Sequence, residues 1–295
     1  MKRLNFSLYP ESIRRILREA GAEADAAGVR AYLVGGAVRD LILGAVSTDI
    51  DVVVEGDGIA FARRLEAVWK AKALFHEKFR TAALTLKEGM VVDVVTARRE
   101  TYARSGALPD VVPATLKEDL ARRDFTINAM ALALNTPEAG KLRDDLGGAR
   151  DLDAKLIRIM HEKSFTDDPT RILRAARYAV RFGFQFEALT QDCLDQAVIA
   201  DVFKTITPAR YFLELRRILE EKDPVPAMDL LASWGAVRYV PYEAEDRARL
   251  AASAGDWTDR LGGLLDKTPV DAAREILTAF NVSRSAQKKI VQKNT

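Results

Sequence analysis

The stretch AYLVGGAVRDLILGAVSTDIDVVVE, residues 31–55, decides how the rest of the chain is read. An apolar run breaks at Gly35 and Gly36, turns into the Arg39–Asp40 pair, and is followed by Asp49 and Asp51 at the mouth of a second apolar run. A strand, two glycines and a helix start together turn backbone N–H groups and a helix dipole toward an anion. Arg39, one turn into that helix, adds a guanidinium suited to bidentate phosphate contact. Successive strand residues face opposite ways, so Asp49 and Asp51 project from one face with Cα atoms about 7 Å apart. Carboxylates at that spacing can hold a hard cation such as Mg²⁺, which takes oxygen ligands completed by water and phosphate. A D-x-D pair at a strand start is also a common turn acid followed by a solvated one, and the glycine turn before it is what favours the metal.

A third acid appears in MVVDVVT, where Asp93 interrupts a run of valines. A carboxylate inside an otherwise apolar strand is expensive to bury unless something compensates it. If that strand neighbours the first, the three acids converge. Two metals near three carboxylates would activate an attacking hydroxyl and stabilise a leaving pyrophosphate in an in-line displacement, which points to nucleotidyl transfer.

Composition narrows the alternatives. The 295 residues are 48% hydrophobic and 30% charged with a net charge of +2, a balance that fits a soluble globular protein and neither demands nor forbids an RNA partner. The lone Cys193 excludes a disulfide framework and a cysteine metal cluster, and the separated His76 and His161 argue against a histidine zinc site. The start has no long apolar core of the signal-peptide kind and no segment approaches a membrane span, so a cytoplasmic location is expected.

Short Val-rich strand patterns are confined to the first half: AYLV, DIDVVVE, KALFHEKF, TAALTLK, MVVDVVTA and, as an outlier, KLIRIM at 155–160. Helical patterns surround them at about 10–20, 37–44, 57–69 and 126–134. From about residue 164 the period becomes helical, and Pro208, Pro224, Pro226 and Pro241 mark joints between helices. The expected architecture is therefore an α+β head with a small mixed sheet followed by an all-helical half, with RDDLGGARD, 143–151, as the linker. The polar segment RRETYARSGALPDVVPATLKEDLARRD reads as a mobile loop.

GGAVRDLILGAVSTDID, then Asp93, then RRDFTINAMAL at 122–132, closely resembles the bacterial and eukaryotic (class II) tRNA nucleotidyltransferases, the CCA-adding enzymes and their poly(A) polymerase relatives. The resemblance continues through DDLGG, DDPTRILRAARYAVRFGF and ARYFLELRRIL, to about residue 220. It implies a polymerase-beta-like nucleotidyltransferase head at 1–142, a helical neck for base recognition at 143–212 and a shortened RNA-binding body at 213–295, with no evident tail of the kind that grips the tRNA elbow. It implies Asp49, Asp51 and Asp93 as the catalytic acids, with Asp49 and Asp51 holding two Mg²⁺ ions. Gly35, Gly36 and Arg39 would contact the triphosphate, and Arg122, Arg123, Asp124 and Asn128 the ribose and nucleotide. Read by itself, RRDFTINA is an amphipathic helix with a charged entry and Asp124 as its N-cap.

In this family an acidic-Asp-x-x-Arg motif reads the incoming base, and here it falls on Asp167, Asp168 and Arg171; the first position is Asp where the family usually has Glu. Cytosine and adenine both present an amino donor beside a ring-nitrogen acceptor, matching a carboxylate and a guanidinium. Uracil and guanine would leave polar groups unpaired in a desolvated site, a loss of a few kcal/mol. Pro169 at a first helical position with Asp168 as N-cap explains the same residues structurally, and both roles coexist only if one carboxylate oxygen serves each. Arg174, Arg177 and Arg181 continue one stripe that the resemblance places along nucleotide or RNA phosphates, while Tyr178, Phe182 and Phe184 read as core. The implied partners are tRNA, CTP and ATP. Rival readings are an A-only adder working in series with a second tRNA nucleotidyltransferase, a poly(A) polymerase, and a catalytically silent tRNA-binding paralogue.

Overall fold

The computed structural model describes residues 3–292, which pack as two units. One holds the chain up to Thr101 together with Pro109–Met160; the other holds Tyr102–Leu108 together with the chain from His161 onward. In the first unit the elements run α1 (Glu11–Ala27), β1 (Arg30–Val34), α2 (Gly36–Ile42), β2 (Ile50–Glu55), α3 (Gly58–Trp69), β3 (Lys72–His76), β4 (Thr81–Thr85), β5 (Val91–Thr96), β6 (Arg98–Thr101) and β7 (Asp110–Pro113). They continue through α4 (Leu116–Ala121), β8 (Ala131–Ala133), β9 (Leu142–Arg143) and α5 (Gly148–Asp153).

A mixed seven-stranded sheet has the order β3-β4-β5-β2-β1-β8-β9, with β2 and β5 parallel and the other pairs antiparallel. Alternation along the Val-rich strands gives the sheet two unlike faces. Ile50, Val52, Val54, Ala82, Leu84, Val92 and Val94 are buried on the face that α3 covers. The other face carries Asp51 and Asp93. Further along it, Val53 and Val95 join a core with Tyr32, Ala131, Leu116 and Leu120, the last two from α4.

Three expectations fail for physical reasons. The helix expected over 126–134 is a short 3₁₀ turn at Thr126–Asn128 followed by β8. All three β8 residues are buried, paired with β1 on one side and β9 on the other, so tertiary burial overrides the helix propensity of Ala, Leu and Met. The polar segment after Asp93 is mostly ordered. β6 and β7 form a hairpin and Thr115 with Glu118 closes a capping box at the start of α4, leaving Tyr102–Pro109 between the strands. The expected linker at 143–151 is built into the first unit: Asp144 accepts from the N–H groups of Gly148 and Ala149 at 2.7 and 2.9 Å and so opens α5. The division falls at Met160 rather than at residue 142.

The second unit contains α6 (Ser164–Asp167), α7 (Thr170–Phe182), α8 (Ala188–Ile199), α9 (Pro208–Leu219), α10 (Val225–Ser233), α11 (Ala244–Ala252), α12 (Trp257–Leu265), α13 (Val270–Ala279) and α14 (Arg284–Gln292). Apart from the two-residue strand Gln185–Phe186, its regular structure is helical among the described residues. Pro208 occupies the first turn of α9 behind a Thr207 cap, and Pro224 precedes α10, where a missing N–H costs no helical bond. No helix among the described residues is long and apolar enough to cross a membrane.

Candidate active site

The parallel register of β2 and β5 sets Asp51 directly beside Asp93. Asp49 stands just before β2, its N–H donated to Ser47 Oγ at 3.1 Å. Each of the three carboxylates brings an oxygen within 4.8 Å of the others. Burial and then the charge of Asp49 push the Asp51 carboxyl up to about 6, with Arg123 opposing the rise. Burial and Asp49 raise Asp93 as well, against the pull of His76. An all-oxygen, hard donor set at this spacing, carrying repulsion that a divalent cation would relieve, fits a metal centre.

The glycine turn lies on the β1 flank of Asp51. Gly35 holds φ at 70°, and a Cβ there would lie 2.9 Å from an Arg123 guanidinium nitrogen and 3.9 Å from an Asp51 oxygen. The left-handed backbone is what requires glycine here, and the tip of Arg123 packs close against it. Arg39, expected to face phosphate, is only 4% exposed. Its Nε donates to Asp40 at 2.9 Å and another guanidinium nitrogen donates to Asn128 Oδ1. Asn128 Nδ2 in turn donates to Asp124 Oδ1 at 3.0 Å. Arg39 therefore braces the glycine turn against RRDFTIN. Asp124 accepts from the Phe125 N–H at 2.8 Å at the entry to the 3₁₀ turn instead of capping an α-helix.

Sequence reasoning missed Asp119, which is completely buried. Its Oδ1 accepts from Arg122 at 3.0 and 2.7 Å and from the Arg98 N–H at 3.2 Å, and its Oδ2 accepts from Arg123 at 3.0 Å. Burial raises this carboxyl, but Arg123 and Arg122 outweigh it and hold it below the usual carboxylate range. Arg122 also reaches Glu100 at 2.9 Å. The signal was present in the spacing, because Asp119 precedes Arg122 and Arg123 by three and four residues, the separations that meet on a helix.

In the second unit Asp168 Oδ1 takes three donors: the Thr170 N–H at 3.1 Å, Thr170 Oγ1 at 2.6 Å and Arg210 at 3.0 Å. One oxygen thus opens α7, and Oδ2 receives none of these three donors. Arg171 is buried and donates to Ser164 Oγ at 2.6 Å. The remaining stripe meets acids: Arg174 reaches Glu214 at 3.3 Å, and Arg177 and Arg181 reach Glu221 at 3.4 and 3.6 Å. Tyr178 and Phe184 are buried as the sequence predicts, whereas Phe182, stacked on Tyr178 and tilted against Phe184, is only half-buried. The Tyr102–Leu108 segment is docked on this unit: the Gly106 N–H donates to Asp167 O, Ser105 Oγ donates to Thr166 O, and Arg210 bridges the Gly106 carbonyl to Asp168.

Residues 31–158 match the poly A polymerase head domain. The chain is similar to an A-adding tRNA nucleotidyltransferase of Geobacter sulfurreducens, 42% identical over 231 residues, covering 78% of this chain and 26% of that protein. It is 41% identical over 229 residues to a CC-adding tRNA nucleotidyltransferase of Deinococcus radiodurans, covering 76% of this chain and 58% of that one. It also superimposes on the structure of a Thermotoga maritima CCA-adding enzyme complexed with tRNA(CCA), with a TM-score of 0.78 and 33% identity, covering 99% of this chain and 74% of the other. The chain belongs to the tRNA nucleotidyltransferase family. Against these two curated tRNA nucleotidyltransferases it spans about a quarter and three fifths of their length. The three acids, the glycine turn and Arg123 lie within the part matched by the head domain.

Proposed function

We propose that this protein adds C and A nucleotides to the 3′ end of tRNA without a template, taking them from CTP and ATP with release of pyrophosphate. The observation that carries the reading is the convergence of Asp49, Asp51 and Asp93 beside the Gly35 turn and the Arg123 guanidinium. Asp49 and Asp51, with Asp93, would hold Mg²⁺. Bound there, it supplies acidification of the attacking 3′-hydroxyl and neutralisation of the leaving pyrophosphate. In the transfer the RNA 3′ oxygen forms a bond to the α-phosphorus and the bond to the β-phosphate oxygen breaks. The hydroxyl proton passes to solvent, and the electron pair leaves with pyrophosphate.

The chain's own groups position and select. The N-terminus of α2 at Gly36 and the Arg123 guanidinium orient the triphosphate, the Gly35 N–H being donated to the Met130 carbonyl at 3.2 Å, while Arg39, Asn128, Asp124 and Asp119 hold that arrangement rigid. Arg122 is tied to the same anchor. Asp168 Oδ2 accepts from the exocyclic amine of cytosine or adenine and Arg171 donates to the ring nitrogen. Arg174 and Arg177, paired with Glu214 and Glu221, support the helix that presents them.

The second reading, addition of the terminal A alone with a second tRNA nucleotidyltransferase acting before it, is favoured by the similarity to an A-adding relative. The test is incubation with Mg²⁺ and three tRNAs ending before CCA, after the first C and after CC, each nucleotide supplied singly and together. Extension of all three to CCA supports complete addition. Extension of only the CC-ended tRNA with ATP replaces it by the second reading, and binding without extension overturns both.

A further inference from the structure

The two groups proposed to read the base, Asp168 and Arg171, are both tied to Ser164, the first residue of α6. The Ser164 hydroxyl accepts from an Arg171 guanidinium nitrogen at 2.6 Å, and the Ser164 carbonyl accepts from the Asp168 N–H at 3.2 Å. The Arg171 N–H completes the set by donating to the Asp168 carbonyl at 3.0 Å. A straight helix would set Ser164 and Arg171 about 10 Å apart along its axis. Instead Asp168, with φ −136° and ψ 93°, and Pro169 break α6 from α7, and the arginine folds back onto the serine.

Nothing in α6 itself calls for serine at this position. Ser164 and Phe165 are completely buried against α7 and α8, and α6 has no side-chain cap bond. Alanine is the better helix former, and a buried hydroxyl without a partner is costly. The bond to Arg171 is therefore what makes serine suitable there. Arg171 is only 5% exposed, so its surroundings fix its direction. A neutral oxygen orients the guanidinium while leaving it positive, whereas a carboxylate in the same place would cancel that charge.

We infer that Ser164 is a positioning residue for base selection: its hydroxyl sets the direction of the Arg171 guanidinium and its carbonyl the place of Asp168, so that donor and acceptor meet the base at one separation. The inference rests on the reading of Asp168 and Arg171 as the base-selecting pair. A guanidinium released from Ser164 finds an acceptor oxygen on uracil or guanine as readily as a ring nitrogen on cytosine or adenine. Loss of the hydroxyl thus weakens rejection of the wrong base more than it slows transfer.

The test uses the full chain with Mg²⁺ and measures kcat and KM for CTP against UTP on a tRNA lacking CCA, and for ATP against GTP on a CC-ended tRNA. Wild type is compared with Ser164→Ala, Ser164→Cys, Arg171→Ala and the Ser164→Ala/Arg171→Ala pair. Ser164→Ala should narrow the ratio of kcat/KM for right over wrong nucleotide by about three- to tenfold, through KM for the right one, with kcat within about twofold. Ser164→Cys, which keeps the volume but is a weak acceptor, should narrow it similarly. In the Arg171→Ala background Ser164→Ala should change the ratio by less than about twofold. Unchanged selectivity in both Ser164 variants, where Arg171→Ala does relax it, overturns the inference and leaves the base reader standing. So does a Ser164→Ala effect that persists undiminished without Arg171, or an equal loss for all four nucleotides accompanied by a lower Tm, either of which makes Ser164 a residue of the fold alone. Unchanged selectivity in Arg171→Ala removes the base reader and the inference together, as does a wild-type chain that extends neither RNA.

Discussion

The two charged regions of this molecule are treated in opposite ways. On the sheet, Asp49, Asp51 and Asp93 crowd together, and among the described residues none of them forms an ion pair. On α7 the arginines are met inside their own unit, Arg174 by Glu214 and Arg177 by Glu221. Arg123 shows the same contrast within a single side chain, with one guanidinium nitrogen on buried Asp119 and another facing the Gly35 turn. Repulsion kept in a folded protein is a cost that protonation or a bound cation relieves, whereas an internally paired charge is part of the architecture.

The sharpest way to break this contrast is to remove an uncompensated acid. Asp49→Ala should reduce nucleotide transfer by about a thousandfold or more, since several kcal/mol of metal-borne stabilisation is lost. Measurable transfer near the wild-type rate, with the fold intact by circular dichroism, would remove the acids from the chemistry. The same repulsion has a stability signature. Asp51 has a folded carboxyl raised to about 6 from an ordinary value of 3.8. Its contribution is therefore neutral below pH 4, becomes unfavourable as pH rises through 6, and is fully unfavourable at pH 7. In metal-free buffer Asp51→Asn should be more stable than wild type by up to about 3 kcal/mol at pH 7 and equal to it at pH 3.5. Saturating Mg²⁺ should close the gap at pH 7. Chemical denaturation at the two pH values, with and without Mg²⁺, measures this directly.

Asp119 tests the buried side of Arg123. Asp119→Ala should raise the KM for nucleotide by about 10- to 100-fold, the range for an arginine released from a charged partner. In an Arg123→Ala background the same change should have little further effect on that KM. Additive effects in this double-mutant cycle would mean that Asp119 acts on the fold alone. For base choice, Arg171→Ala should relax rejection of UTP and GTP by about 10- to 100-fold, as removal of one guanidinium donor predicts. Unchanged selectivity in single-nucleotide assays moves the reader elsewhere. The smallest effect belongs to the paired stripe: Arg177→Met should cost about 1 kcal/mol of stability and leave the nucleotide KM within twofold. A tenfold KM change there would restore Arg177 to the phosphate path and blur the contrast between the two regions.

The clustering of the three acids was legible because strand alternation is local: Asp51 and Asp93 lie in β2 and β5 as their Val-rich neighbours suggest, with Asp49 just before β2. The glycine turn was legible for the same reason. By contrast, RRDFTINAMALAL reads as helix in propensity and becomes a 3₁₀ turn and a strand, because β1 and β9 enclose β8. Arg39 read as a phosphate ligand and became a brace, since its partner Asn128 lies 89 residues away and no local spacing announces it. Asp119 was hidden in a segment whose polarity suggested a loop, although its helical spacing to Arg122 and Arg123 was available.

By itself the sequence determined which residues could meet a cation and a triphosphate, that the first half alternates strand and helix, and that the second half is helical. These properties follow from residue type and from periods of two and 3.6 residues, which neighbouring positions carry. Only the tertiary structure decided that β2 and β5 lie in the register that joins Asp51 to Asp93, that Asp119 anchors Arg123, and that α7's arginines are matched by α9 and the residues just beyond it. Those outcomes depend on pairing between distant segments, where burial and the desolvation of charge, rather than local preference, set the lowest free energy.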